Sequence, residues 1–349
     1  MVTAATENKE TERIYFIDLL RIIACFFVIV NHTNSDVFKG SMPSFTWFAS
    51  LSYFFCSKAA VPVFLMISGY TMLNQQDTNG KAFFRVFRYG CSLVFFSGIY
   101  FLFQYLAGEW PLSVTFFLRR LVNGQITNAF WYMYLYLGIL LMIPFLQKFV
   151  SVLKAKDFLI LFFWSMLLRS VLPIMVHYIP ETQISEHFVL PLFDSYTMLL
   201  LLGYYFRKYC KPSKYWRLPC TVGYIASVIL NVVLTYHEYI RNDGVDYLFF
   251  DNRVFIPILL GGFCLFALVS TVHLKETMQK IVIVVGKLTF GIYLFSDLII
   301  DKLEFVYPQM IQHGIPVMPA MVIYEVVVFV TCAAITYILK KIPVLQKLL

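Results

Sequence analysis

Apolar segments long enough to cross a membrane recur along the whole of this 349-residue chain. A helix needs about 20 apolar residues to span the hydrocarbon core of a bilayer. Only 14% of the residues are charged, against about a quarter in soluble domains, which excludes a soluble fold. We therefore predict an all-α integral membrane protein of about ten transmembrane helices. The predicted spans are residues 14–33, 50–72, 89–107, 129–149, 158–178, 195–206, 218–236, 254–272, 281–300 and 319–339.

The distribution of Lys and Arg predicts the orientation of these spans, because cytoplasmic loops are enriched in both residues. With a cytoplasmic N-terminus, 19 of the 28 basic residues fall on the cytoplasmic side and six on the other. Both termini are therefore predicted to be cytoplasmic, with tails at 1–13 and 341–349 around a membrane domain at 14–340. This asymmetry explains the net charge of +8 without nucleic acid as a partner. The polar, partly acidic start predicts no cleavable signal peptide.

Three ionisable residues stand inside the first span, Asp18, Arg21 and His32. An Arg at the centre of a membrane helix costs about 2.5–3.5 kcal/mol on insertion scales, so a function is expected of it. The eleven residues from Arg21 to His32 make about three helical turns, which puts both side chains on one face. Asp18 lies one turn before Arg21. We predict that this face looks into a protein interior and not into lipid.

The residue types of this face suit acid–base chemistry and anion binding. A neutral imidazole such as that of His32 can accept a proton from a hydroxyl near neutral pH. The guanidinium of Arg21 is a permanent, forked cation suited to a phosphate, carboxylate or carbonyl. Asn31 could donate to a developing oxyanion, or simply cap the helix end. The alternative interpretation is a structural Asp18–Arg21 ion pair, with His32 merely at the membrane interface.

The first span resembles the first helix of the acyltransferase 3 family, which comprises integral-membrane O-acyltransferases with an Arg/Lys-x10-His motif. Here Y-F-I-D-L-L-R is followed by ten residues and His32. Further stretches resemble family segments in the same order, namely P-V-F-L-M-I-S-G-Y (62–70), K-A-F-F-R-V-F-R (81–88), F-W-Y-M-Y-L-Y-L…P (130–144), L-L-L-G-Y-Y-F (200–206) and L-T-F-G-I-Y-L-F (288–295). Family members often carry His after the last motif, where this chain has Ser296 and Asp297. Either of these could line the same cavity.

The resemblance implies transfer of an acyl group, usually acetyl from acetyl-CoA, to a hydroxyl of a cell-surface carbohydrate or lipid-linked glycan at the plasma membrane. His32 would then act as the base or carry the acyl group briefly, while Asp18 and Arg21 shape the inner part of the cavity. Arg85 and Arg88 would bind the phosphates of acyl-CoA as an i, i+3 pair. The alternative is that these two arginines only contribute to the cytoplasmic basic cluster.

A second class of function is left open by the sequence. Ten helices with buried charge also suit a transporter or flippase for a polar or anionic solute, although no internal duplication supports this. Lys58 and Arg169 are further intramembrane cations without an evident partner in the sequence, and Lys58 could bind an anionic ligand. The seven cysteines have no metal-ligand spacing, so no metal is expected. The acceptor, the exact acyl group and the oligomeric state are not predicted.

Overall fold

The computed structural model describes residues 14–39, 41–75, 77–182, 195–241 and 256–349, and within these ranges it contains helices and no strand. The helices are α1 (Tyr15–Thr33), α2 (Ser35–Lys39), α3 (Phe45–Ser57), α4 (Ala60–Met72), α5 (Asn79–Leu106), α6 (Val114–Val122), α7 (Trp131–Val152), α8 (Ala155–Met166), α9 (Leu172–His177), α10 (Ser195–Tyr209), α11 (Arg217–Arg241), α12 (Ile256–Ser270), α13 (Glu276–Gly286), α14 (Thr289–Leu303), α15 (Val306–Gln312), α16 (Val317–Leu339) and α17 (Pro343–Leu348).

The all-helical membrane fold predicted from the sequence is confirmed. Seven helical stretches in the described residues are long and apolar enough to cross a membrane, or eight if the bent pair α13–α14 forms one span. The shorter helices α10 and α12, of 15 residues each, coincide with two further predicted spans. The count of ten and the cytoplasmic location of the termini remain predictions. The predicted N-terminal tail at 1–13 lies outside the described residues.

Helix α1 stands at the centre of the bundle. It contacts α3, α4, α12, α13, α14 and α16, so it has protein neighbours on several sides. On its charged face, Asp18 is 0% and Cys25 is 1% exposed. The prediction that the charged face of this helix looks into a protein interior is therefore in agreement with the packing. We call the side on which α1 and α5 begin the inner side, which the basic residues predict to be cytoplasmic.

Two spans around α1 are interrupted. The second span consists of α3 and α4, separated by Lys58 and Ala59. The ninth span consists of α13 and α14, which are bent by 56° around the residues that follow Gly286. Such breaks inside a membrane protein are tolerated where the backbone is enclosed by protein or lines a cavity. Each break places a lysine in the wall of the cavity described below, the half-buried Lys58 in the first and the exposed Lys287 in the second.

Glycines let α4 and α10 pack backbone against backbone. A Cβ added to Gly69 would overlap the backbone of Leu200, and a Cβ added to Gly203 would overlap the backbone of Met66. Small residues drive the close packing of membrane helices in this way. The two glycines belong to the S-G-Y and L-G-Y motifs of the sequence, so the role of these motifs at this contact is packing.

The C-terminal residues pack against the bundle. The hydroxyl of Ser92 on α5 donates to the carbonyl oxygen of Leu348 at 2.9 Å, and Leu349 is 5% exposed. Leu349 also lines the central cavity described below. The stretch predicted as a tail at 341–349 thus includes a short helix that closes part of the inner side.

Candidate active site

A cavity of about 720 Å³ lies between α1, α4, α5, α7 and the break between α13 and α14. Its volume falls in the range of about 300–1,000 Å³ that is usual for small-molecule and cofactor sites. The basic side chains that line it are Arg21, His32, Lys58, Arg85, Arg88 and Lys287. Among the described residues, neither an Asp nor a Glu lines its wall. The cavity therefore suits a ligand with negative charge.

The cavity extends over much of the membrane thickness. At 1.5 Å per residue, Arg21 lies about 9 Å and His32 about 25 Å from the start of α1. On α5, which begins on the same side, Arg85 and Arg88 lie about 9 Å and 14 Å from the helix start. The three arginines thus share one inner layer, and His32 lies in an outer layer of the same cavity.

Asp18 forms an ion pair with Arg21 without lining the cavity itself. The Nη1 atom of Arg21 donates to Oδ1 of Asp18 at 2.9 Å, and the two side chains are 34% and 1% exposed, respectively. Asp18 does not line the cavity but packs against Gly286, where an added Cβ would lie 2.6 Å from the Asp18 Cβ atom. Of the predicted pair, only Arg21 is placed to touch a ligand, while Asp18 orients it.

Asn31 links α1 to the break in the second span. Its Nδ2 atom donates to the carbonyl oxygens of Phe27 at 2.8 Å and Ser57 at 2.9 Å. An amide nitrogen has two protons, and both are used by these backbone carbonyls. Asn31 is thus not available as the oxyanion donor that the sequence suggested, and it instead fixes the end of α1 that carries His32.

Arg85 and Arg88 lie inside α5, which begins ten residues before the predicted span and carries both side chains into the cavity wall. Arg85 forms an ion pair with Asp77, and Gln147 donates to the same Asp77 oxygen at 2.8 Å. Part of the Arg85 charge is therefore compensated. Arg88 lines the cavity one helical turn closer to the outer side, where a phosphate group could contact both guanidinium groups.

Aromatic rings form the wall opposite α1. Tyr132 and Tyr136 on α7 are stacked with ring centroids 5.8 Å apart, and Tyr89 on α5 lies 5.1 Å from Tyr136. Ser68 of the S-G-Y motif also lines the cavity, and its hydroxyl contacts the Tyr136 hydroxyl at 3.2 Å. These rings give the cavity a partly aromatic wall beside its basic groups.

Ser296 and Asp297, at the position where related sequences often have His, point elsewhere. The hydroxyl of the buried Ser296 donates to the carbonyl oxygen of Tyr293 at 2.9 Å. Asp297 accepts a hydrogen bond from Thr127. Neither residue lines the central cavity. A catalytic role in this cavity is therefore not supported for either residue.

Two cavity residues were not assigned to the site from the sequence. The sequence marks Lys58 as an intramembrane cation that could bind an anionic ligand, and it does not single out Lys287. Both are brought into the cavity by breaks inside a span, which hydropathy does not reveal because both flanking helices are apolar. In the described residues, no group of three or more His, Cys, Asp or Glu side chains could hold a metal ion.

The fold and the cavity define a multi-pass membrane protein with a basic, partly aromatic chamber inside its helical bundle. A family model described as "Acyltransferase domain" matches residues 14–339, nearly the whole chain. The chain therefore belongs to the acyltransferase 3 family and is a membrane acyltransferase, which confirms the resemblance seen in the sequence. No curated protein and no solved structure matches the chain significantly.

Proposed function

We propose that this protein transfers an acetyl group from acetyl-CoA to a hydroxyl of a cell-surface carbohydrate or lipid-linked glycan at the plasma membrane, with His32 as the base. The observation that carries the proposal is that Arg21, His32, Arg85 and Arg88 line one cavity. These residues come from two helices, α1 and α5, that are far apart in the sequence. Family membership supports acyl transfer as the reaction, and the cavity supports the roles proposed for these side chains.

The inner layer of the cavity suits the donor. The phosphates of CoA are its charged groups, and arginines bind phosphate through two parallel hydrogen bonds. Arg88 and Lys287 supply cationic charge there, and Arg85 adds a guanidinium that Asp77 already holds in place. The acyl arm, which is uncharged, would then extend past the aromatic wall toward His32.

The outer layer suits the acceptor hydroxyl. His32 lies near the end of α1, about 16 Å from Arg21 along the helix axis. Its imidazole accepts the proton of the attacking hydroxyl, and the resulting imidazolium returns a proton to the leaving thiolate. Donor and acceptor thus enter from opposite layers and meet in the middle of the bundle.

The transport alternative draws on the bent pair α13–α14, since broken helices are common in transporters. The family match over residues 14–339 favours the acyltransferase, because it covers all the helices that form the cavity and belongs to a family of acyltransferases.

The proposal is tested with purified protein in lipid nanodiscs, [14C]acetyl-CoA and the envelope polysaccharide fraction of the native host. We expect acetyl-CoA-dependent label in an alkali-labile ester on the polysaccharide. In sealed vesicles, acetyl-CoA should act only from the side on which α1 begins. Absence of labelled ester, or transport of the polysaccharide fraction without acetyl-CoA, contradicts the proposal.

A further inference from the structure

Lys58 stands in the same layer as His32. The hydrogen bond from Asn31 to Ser57 and that from Asn34 to Ser50, at 2.9 and 2.6 Å, align the antiparallel helices α1 and α3. His32 therefore lies beside the stretch of α3 between residues 50 and 57.

The side chain of Lys58 runs along α3 toward the outer side. Its Nζ atom lies 4.0 Å from the centroid of the Phe54 ring, one turn toward the outer side. Both Lys58 and His32 line the cavity. The break between α3 and α4 thus delivers a cation to the layer where the acceptor hydroxyl would be deprotonated.

Acyl transfer needs a hydrogen-bond donor or a cation beside the carbonyl oxygen of the thioester. Attack on a thioester carbonyl moves a pair of electrons onto the carbonyl oxygen, and fixed hydrogen-bond donors or cations stabilise that charge. The amide of Asn31, which also lines the cavity, uses both of its protons on backbone carbonyls. The hydroxyl of Tyr293, another cavity residue, donates to the carbonyl oxygen of Ala129 at 2.6 Å.

We propose that Lys58 is a catalytic residue that stabilises the oxyanion of the tetrahedral intermediate, an inference that rests on the proposed function. The acceptor oxygen forms a bond to the acyl carbon as His32 takes its proton, and the carbonyl electrons move onto the oxygen beside the Lys58 ammonium. These electrons then re-form the carbonyl, the carbon–sulfur bond breaks, and the thiolate takes the proton from His32. The products are the ester and free CoA, and Lys58 keeps its protons throughout.

Two other roles for Lys58 predict different results. As the C-terminal cap of α3 it could compensate the helix dipole, in which case its loss lowers stability. As a recognition group for an anionic acceptor, its loss raises the acceptor KM and leaves kcat unchanged. Oxyanion stabilisation instead predicts a loss of kcat with little change in either KM.

The test compares Lys58→Met, which keeps the length of the side chain without its charge, with Lys58→Arg and with Lys302→Met. Lys302 is exposed at the end of α14 and does not line the cavity. The assay measures kcat and KM for acetyl-CoA and for the envelope polysaccharide fraction, together with acetyl-CoA binding and the thermal unfolding midpoint. For Lys58→Met we expect kcat to fall about 100- to 1,000-fold, as for loss of one oxyanion donor.

In the same experiment, both KM values should stay within about threefold of wild type and the unfolding midpoint should be unchanged, since only the transition state is affected. Lys58→Arg should keep a measurable part of kcat, and Lys302→Met should match wild type. An unchanged kcat for Lys58→Met, a raised polysaccharide KM alone, or a lowered unfolding midpoint overturns the inference. If Lys58→Met does not fold, Lys58→Gln carries the same expectation, and failure of both to fold shows a structural role.

The outcome also separates this inference from the proposed function. Without acetyl transfer by the wild-type protein, the proposed function fails. An active wild-type protein with an equally active Lys58→Met variant refutes only the role of Lys58.

Discussion

Substitution of Gly286 by Ala should impair the site through Asp18, a residue that does not line the cavity. The added Cβ would lie 2.6 Å from Cβ of Asp18 and 2.9 Å from its Cγ and Oδ1 atoms, well inside normal contact distance. Asp18 must therefore move, and its 2.9 Å ion pair with Arg21 is lost or distorted. The side chain of Arg21 then loses the group that fixes its direction into the cavity.

The size of the effect follows from that ion pair. A hydrogen bond to a charged group contributes about 1.5–3 kcal/mol, and solvent screening reduces this value because Arg21 is 34% exposed. A loss of about 1–2 kcal/mol corresponds to about a 5- to 30-fold change. We expect kcat/KM for acetyl-CoA to fall by that factor in Gly286→Ala.

The matched control is Gly98→Ala on α5, because an added Cβ there has nothing within 4 Å. Steady-state acetyl transfer in nanodiscs measures both variants, and thermal unfolding shows whether each is folded. The reasoning is refuted if folded Gly286→Ala keeps the wild-type kcat/KM, or if Gly98→Ala loses as much.

Two further predictions concern the donor site and the packing of the bundle. Arg88→Gln should raise the KM for acetyl-CoA about 10- to 100-fold, as expected for loss of a charge-assisted hydrogen bond. The increase should be smaller for Arg85→Gln, because Asp77 already compensates part of the Arg85 charge. The exposed Lys148→Gln is the control, and equal KM values in all three variants contradict the assignment. Gly203→Ala should destabilise the protein by about 1–3 kcal/mol, because its Cβ would overlap the backbone of α4. Gly138→Ala, with open space around the added Cβ, should not. Thermal unfolding in detergent measures both variants, and an unchanged midpoint for Gly203→Ala contradicts the close packing of α4 and α10.

The parts of the fold that depend on hydropathy were predictable from the sequence. Each predicted span coincides with a helix or a broken pair of helices, and the charged face of the first span lies in the centre of the bundle. Helix α5 begins ten residues before the predicted span, because that span starts only after the basic stretch that contains Arg85 and Arg88. These side chains are long enough to lie in a helix and still reach polar partners, which hydropathy does not take into account.

The site was predictable where its residues share one helix. Arg21 and His32 follow helical periodicity, so their common face could be derived from spacing alone. Lys58 and Lys287 depend on breaks between helices, and these are set by tertiary packing. The commitment of the Asn31 amide to Ser57 joins residues of two helices, and no local pattern in the sequence indicates it.

The central claim is that His32 takes the proton of the acceptor hydroxyl. Its most direct test is the rate of a single turnover of bound [14C]acetyl-CoA in His32→Ala, with acetyl-CoA binding measured on the same sample. General base catalysis contributes about 100- to 10,000-fold, so the acetyl-transfer rate should fall by at least about 100-fold while acetyl-CoA still binds. A His32→Ala protein that binds acetyl-CoA and transfers the acetyl group at the wild-type rate contradicts the claim.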